Sequence, residues 1–494
     1  MAVWFAPNNL CDNEALGCSR CRRTWLPLPK GEGRGEGKQR CGKFMRAPFD
    51  PHTILLLSPM IPQLTWRALR TVDARCLRKF AWNFGVKGLW AVEKFKRRIR
   101  RGEYFPAFLH ISIINSCNLR CQGCWVDVEA DRTLISLSDM NRLISDAKAH
   151  GTCFFGILGG EPFLHPDLME IFAAHPDCYF QVFTNGQMIT EKAAERLRQL
   201  GNVTPLISIE GLEAVSDARR GGKQVFERTM RGLANCVNAR LLVGIATSVC
   251  QSNIKELLTE EWLRRLIQVG AHYVWYYGYR PSGPLMNQEL ALRPEQLIEL
   301  RRFIVEMRGR LPIGIVDAYY DHNGQALCPM TTGISHHINP RGDIEPCPVL
   351  QFAVENIRDQ RGLFETLRSS AFLRDFRETT ARATRGCVIL ERPDLVRELV
   401  KRHGARDATL RGTALAEIES MAPRFSQWLP GEEIPEKHWA YRLAKKYWYN
   451  DFGAYRQAAP DAEAMARRLR EQPDPEAPAA KPQEKTGPVP LCPQ

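Results

Sequence analysis

Three cysteines within eight residues, Cys117-Asn118-Leu119-Arg120-Cys121-Gln122-Gly123-Cys124, form the densest group of soft metal ligands in the chain. Thiolates this close in sequence converge on one face of an iron–sulfur cubane only from a loop, and an apolar run, 107–114, ends just before them. Three ligands for four irons leave one iron open. An open, Lewis-acidic iron can chelate a small molecule through amine and carboxylate groups. That separates the pattern from a closed four-cysteine electron carrier and from structural zinc, whose ligands arrive as two separated pairs.

Further polar, glycine-bearing stretches recur downstream. Gly159-Gly160-Glu161-Pro162 follows a second apolar run, 152–158. Glycine lets backbone groups approach a ligand closely, and a carboxylate there can accept a charged hydrogen bond from an ammonium. Thr184-Asn185-Gly186 closes a third run and by itself reads as an Asn-Gly turn. Ser208-Ile209-Glu210-Gly211 ends a fourth, Gly244 and Thr247 lie on a fifth, and residues 277–283 (YGYRPSG) end a sixth.

The elements that must position these groups read as strands at 107–114, 152–158, 179–184, 203–209, 241–249 and 272–277. Each is short and rich in Val, Ile, Phe or Tyr. Helices are expected at 138–150, with Ser138 as N-cap, and at 167–174, 191–200, 224–237 and 259–269. Six strand–helix repeats predict an α/β fold, a parallel sheet with helices outside it. Strands buried on both faces read as continuous apolar runs, as these do. Such folds place chemistry at the carboxyl ends of strands, and the glycine-bearing stretches fall there.

With these motifs in this order, the chain resembles the radical S-adenosylmethionine (radical SAM) superfamily over residues 107–350. The resemblance implies a partial (β/α)6 TIM-like barrel with a 4Fe–4S cluster on Cys117, Cys121 and Cys124. It implies S-adenosylmethionine chelated at the fourth iron, its amino group held by Gly159, Gly160, Glu161 and Pro162. Ser208 and Glu210 would face the cofactor's carboxylate and ribose. The implied reaction is reductive cleavage to methionine and a 5′-deoxyadenosyl radical, which takes hydrogen from a substrate, with flavodoxin or ferredoxin as electron donor. The family usually carries an aromatic residue just before the third cysteine. Gly123 stands there instead, and Trp125 is the candidate substitute.

Cys328, Gly342 and Cys347 give C-x13-G-x4-C around a turn at Gly342-Asp343. This resembles the opening of the auxiliary-cluster extension called SPASM, or its shorter twitch relative. Cys387 is the one further cysteine at hand, so a single auxiliary 4Fe–4S cluster on Cys328, Cys347 and Cys387 is expected, with Glu391, a histidine or the substrate as fourth ligand. The surrounding Pro/Gly-rich segment shows little periodicity, and metal ligation would supply the stability it lacks.

The 494 residues, 44% hydrophobic, are enough for a large core and more than one domain. Segment 66–101 holds twelve Lys/Arg against Asp73 and Glu93, which is +10 of the chain's +13, interleaved with Trp66, Trp82 and Trp90. That composition suits a helix lying at a membrane surface or a solvated helix packed on the main domain. No recognition motif points to nucleic acid. On this segment a lipid or isoprenoid substrate is placed ahead of a peptide or small molecule. No run is long enough to span a bilayer, and the first residues lack a secretory signal's order.

Sixteen cysteines in a chain this long are no disulfide scaffold. Cys153, Cys178, Cys236 and Cys250 sit in apolar runs as small buried hydrophobes, so a reducing cytoplasm is expected. The expected segments are a low-complexity extension (1–45), a basic helical stretch (46–104), the barrel (105–310), a loop-rich auxiliary-cluster unit (311–395), a helical region (396–457) and a largely disordered tail (458–494). In the first, Cys18 and Cys21, with Cys11 and Cys41, could take zinc, and Met45 is a candidate start. The competing reading is a non-catalytic iron–sulfur or zinc-binding scaffold or electron carrier, which needs the cysteines but not the glycine-bearing strand ends.

Overall fold

In the computed structural model, residues 60–448, 452–455 and 460–470 are described. The readings placed on 1–45, on Met45 and on most of 458–494 lie outside them. The apolar runs form parallel strands β1 (Phe108–Ser112), β2 (Phe154–Leu158), β3 (Tyr179–Thr184), β4 (Val203–Ser208), β5 (Gly244–Val249) and β6 (Tyr273–Gly278). β7 (Gly314–Val316) extends the sheet beyond β6. β8 (Ser335–Ile338) pairs parallel with β1, and β9 (Ile344–Glu345) runs antiparallel to β8. The order is β7-β6-β5-β4-β3-β2-β1-β8-β9.

One face of the sheet is apolar. Leu109 and Ile111 of β1, Phe155 and Ile157 of β2, and Phe180 and Val182 of β3 share a core with Met140, Leu143 and Ile144 from the first crossover helix. The other face curls on itself. Gln181 Nε2 donates to Tyr273 Oη at 2.9 Å, and the rings of Phe183 and Trp275 lie 5.7 Å apart. A flat sheet would hold β3 and β6, with two strands between them, roughly 14 Å apart. The strand register puts His110, Ser112, Gln181, Thr204, Ser335 and His337 on this inner face.

The amino ends of the strands are closed by a helical layer. α1 (Met60–Thr71) is followed by α2 (Ala74–Lys79), a π-helical turn (Phe80–Val86) and α3 (Lys87–Arg100). Phe80, Phe84, Val92 and Phe95 pack with Phe108, Phe154 and Tyr179, the first residues of β1, β2 and β3. Asn83 Nδ2 donates to the carbonyls of Pro176 and Cys178, each at 3.1 Å, and Arg67 Nη1 to that of Ala271 at 2.8 Å. These acceptors all precede strands, so the basic helices plug the end opposite the cysteine loop.

Several local expectations shift. The first crossover helix, α4, is Leu137–Ala149, and its cap is Ser136, whose Oγ accepts from Asp139 N at 3.1 Å, rather than Ser138. A helix over Glu213–Arg220 was not expected. Segment 311–395 is more regular than its composition implies. It supplies β7 and β8 to the main sheet and the helices Gly362–Ser369 and Ala371–Ala383. β8 escapes a search for apolar runs because its sequence is Ser-His-His-Ile. All the described elements belong to one compact unit.

Candidate functional site

The loop leaving β1 is held by backbone contacts that only glycine permits. A Cβ on Gly160 would collide with the carbonyls of Asn115 and Ser116, and one on Gly159, at φ +149°, with that of Ile114. This closeness lets Gly160 N donate to Ile114 O at 2.7 Å and Glu161 N to Ser116 O at 2.9 Å. The two glycines thus fit the end of β2 against the cysteine loop. Gly221, at φ +70°, lies in the same way against Arg120 O.

Cys117, Cys121 and Cys124 are half-buried and close enough to influence one another electrostatically. Burial, reinforced by Glu161 and Cys121, pushes Cys117 up to about 11, and burial, reinforced by Cys121 and Cys117, pushes Cys124 up to about 12. Cys117 and Cys124, raised in this way, are poor isolated thiolates, and a cationic cluster would relieve that cost. Among the described residues no three His, Cys, Asp or Glu side chains are set for a single metal ion. Three thiols gathered on one loop are the donor set an iron–sulfur cubane takes.

Charge beside the loop is arranged through Arg220, which the sequence reading did not single out. Its Nη1 lies 3.7 Å from Cys121 Sγ and its Nη2 3.1 Å from Glu210 Oε1. Burial alone would lower this guanidinium, but Cys121 and Glu210 outweigh it and hold it charged. Glu210 Oε2 accepts from Ser248 N at 3.0 Å. Both Glu210 oxygens are therefore engaged within the protein, and its carboxylate acts on the loop through Arg220.

Glu161 is fully buried and likewise engaged. It accepts from Thr184 Oγ1 at 2.7 Å, Asn185 N at 2.8 Å and Phe163 N at 3.1 Å, while burial pushes its carboxyl up. The Gly-Gly-Glu-Pro stretch is thereby stitched to the end of β3, and Asn185 Nδ2 continues the link to Asn118 Oδ1 at 2.7 Å. Pro162, itself buried, begins a 3-10 turn, and Ser208 ends β4 half-buried. Thr247 Oγ1 donates to Ile209 O at 3.0 Å, and Gly244 makes room for the Tyr273 ring.

The residue before the third cysteine has a structural answer. Gly123 adopts φ +71°, and a Cβ there would run into the Tyr279 ring, which fills the space an aromatic at 123 would claim. Trp125 instead turns its ring edge to His337, with centroids 5.5 Å apart. Gly283 lets the same loop as Tyr279 press on the backbone of Cys124 and Trp125.

Beneath lies a polar chain that the apolar-run reading passed over. Ser112 Oγ and His337 Nε2 are 2.8 Å apart, and His337 Nδ1 and Glu345 Oε2 are 2.6 Å apart. His110 Nδ1 lies 2.8 Å from Ser335 Oγ. Burial pulls His337 down to about 3 and His110 to about 4, so both imidazoles are neutral. Ser112, Asn115, Trp125, Asn339 and Arg341 line a small cleft. The available signal was the alternation His-Ile-Ser in β1.

Cys328, Cys347 and Cys387 also come together. Burial, then Cys387 and Cys328, push Cys347 well above its ordinary value, and burial takes Cys387 up to about 11, with the Arg280 guanidinium beside it opposing the rise. Glu391 accepts from Ser426 Oγ at 2.5 Å, Ser426 N at 3.1 Å and Thr384 Oγ1, so both its oxygens are hydrogen-bonded within the protein, while its charge adds to the rise of Cys387. The 279–283 loop touches both cysteine groups, with Tyr279 on Gly123 and Arg280 beside Cys387.

Residues 111–257 match the model of the Radical SAM superfamily. An Fe-coproporphyrin III synthase of Methanosarcina barkeri is 29% identical over 187 residues, covering 36% of this chain and 45% of that relative. The chain thus spans less than half of that relative's length. A mycofactocin maturase of Mycobacterium tuberculosis is 26% identical over 311 residues, covering 58% of this chain and 76% of the relative. A crystal structure of Streptococcus suis SuiB bound to precursor peptide SuiA aligns at 18% identity with a TM-score of 0.49, covering 60% of this chain and 72% of that one.

Proposed function

Because this chain belongs to the Radical SAM superfamily, an enzyme superfamily that uses a 4Fe–4S cluster and S-adenosylmethionine, we propose that Cys117, Cys121 and Cys124 hold that cluster at the mouth of the polar inner face. The observation that supports this most is the convergence of three thiols on a loop walled by Gly159, Gly160 and Gly221, with Arg220 beside Cys121. When bound, the cluster and S-adenosylmethionine supply one-electron cleavage of the sulfonium and a 5′-deoxyadenosyl radical that takes a hydrogen atom from a substrate C–H. The protein's part is positioning and exclusion. Gly159, Gly160, Glu161 and Pro162 shape the cofactor's wall, Glu161 by fixing the backbone. Ser208 offers a hydroxyl at the end of β4, and Glu210 acts through Arg220. Tyr279 and Trp125 are the aromatic groups for the adenine side.

Members of this superfamily need a reductant and a substrate, and a flavodoxin or ferredoxin is proposed as the reductant. Cys328, Cys347 and Cys387 are proposed to hold one auxiliary 4Fe–4S cluster. The fourth ligand is proposed to be Glu391, a histidine or the substrate. No helix among the described residues is long and apolar enough to cross a membrane. A cytoplasmic setting is proposed, in keeping with described cysteines that are all free.

The substrate is proposed to be a peptide or small molecule ahead of a lipid or isoprenoid. The lipid ordering rested on segment 66–101, and its helices plug the opposite end of the sheet, so they provide no path from a bilayer to the cysteine loop.

Anaerobic reconstitution with reductant and S-adenosylmethionine tests the reading. The wild type releases 5′-deoxyadenosine, and Cys117→Ala, Cys121→Ala and Cys124→Ala each abolish it and lower iron and sulfide by one cluster's content. If the wild type releases none while Cys117→Ala keeps its full iron, the carrier reading stands instead. A second cubane's iron and sulfide, lost in Cys347→Ala with the first retained, supports the auxiliary cluster. Content equal to one cubane in both proteins removes it.

A further inference from the structure

Eight of the thirteen most exposed large hydrophobic residues among the described ones sit on the helices that cap the amino ends of the strands and on a helix packed against α3. They are Trp66 and Leu69 on α1, Trp82 on the π turn, Leu89 and Trp90 on α3, and Trp439, Leu443 and Tyr447 on the C-terminal helix Trp439–Trp448. Trp66, Trp82 and Trp90 are 57, 53 and 69% exposed. Residues this apolar are not left in water without a reason when they are grouped.

The two parts of the group are joined. Gly88 of α3 leaves room for the Trp448 indole, Lys96 Nζ donates to Tyr447 O at 3.2 Å, and the Lys96 ammonium lies 5.9 Å from the Tyr447 ring centroid. The exposed positions of the α2–π–α3 rod are basic at both ends, with Arg75 and Arg78 before Trp82 and with Lys94, Arg97 and Arg100 after Trp90. The one acidic residue of α3, Glu93, is taken up by Arg97 at 3.1 Å and Arg100 at 3.5 Å. Indoles between basic residues match a bilayer's boundary layer, where the ring sits among the headgroups and the cations meet lipid phosphate.

We propose that this face docks on an anionic lipid bilayer, with the cysteine loop directed away from the membrane because it lies at the other end of the strands. The enzyme is thereby held at a membrane while its substrate arrives from the aqueous side. Docking itself does not depend on the radical reading, so the two can fail separately.

Full-length protein is sedimented with vesicles of equal phosphatidylcholine and phosphatidylglycerol, and with phosphatidylcholine alone. Binding is expected to the anionic vesicles and to fall with added salt. Arg78→Glu combined with Lys94→Glu lowers the partition coefficient about tenfold or more, and so does Trp82→Ser combined with Trp90→Ser. Arg231→Glu, an exposed position on a barrel helix, leaves it unchanged. Circular dichroism confirms that each variant folds. In reconstituted holoenzyme, the affinity for S-adenosylmethionine is the same with and without vesicles. Salt-insensitive binding, equal binding to neutral vesicles, or unaltered binding by both double variants overturns docking. Loss of S-adenosylmethionine affinity on vesicles overturns the orientation.

Discussion

Gly123 shows how one residue's backbone carries a functional arrangement. At φ +71° an L side chain costs about 1 kcal/mol, and the Tyr279 ring blocks the space besides. Gly123→Ala is expected to cost about 2 kcal/mol or more in urea unfolding. Made in a Tyr279→Ala background it should cost only the backbone share, and strictly additive costs in that cycle would show that the two residues do not compete. The three cysteines and the Gly-Gly-Glu-Pro stretch were legible because soft metal ligands so close in sequence stand out and because close backbone contact tolerates no Cβ. The partners of Glu161 and Glu210 were not. Both carboxylates looked like ligand contacts, yet each is spent on its own protein, through Thr184 and Asn185 in one case and Arg220 in the other. Nothing in their spacing distinguishes the two uses, since Arg220 reaches Glu210 only because a helix unseen in the sequence, Glu213–Arg220, turns it back.

At the scale of elements, the C-terminal helix Trp439–Trp448 is tied to β7 by buried charge. Asp317 accepts from Arg301 at 2.7 Å, Arg308 at 3.0 Å and Lys445 at 2.5 Å, and Glu436 meets the same three cations. Burial would raise Asp317, but Arg308, Lys445 and Arg301 hold it well below the usual carboxylate range. Asp317→Asn leaves three buried cations to one carboxylate and is expected to cost about 3–5 kcal/mol in chemical denaturation. A loss below about 1 kcal/mol would mean that the network relaxes or admits water. The strands and most helices of the six repeats were readable within a few residues because each buries its own apolar face. β8 was not, because a strand that lines a polar interior with Ser335 and His337 carries no apolar run to find.

For the molecule as a whole, the polar interior has a consequence for pH. Burial pulls His110 and His272 down to about 4 and His336 and His337 to about 3, from an ordinary 6.5. Below 6.5 the unfolded chain takes up protons that the folded one refuses. This contribution is therefore complete above 6.5 and is lost as pH falls toward 4, at up to about 1.4 kcal/mol per pH unit for each imidazole. The urea midpoint should drop clearly between about pH 7.5 and about pH 5, and a flat profile would mean the imidazoles are protonated in the fold. The sequence alone determined the parallel α/β repeat and the cysteine-bearing loop at a strand's end, because apolar periodicity and residue spacing are local properties of a chain. Only the tertiary structure decided which end of the strands the basic Trp-bearing helices cover, which donors Glu161 and Glu210 engage, and that residues from 335 onward extend the sheet beside β1. Those outcomes depend on contacts between segments far apart in sequence, and a segment's composition does not say what it will meet.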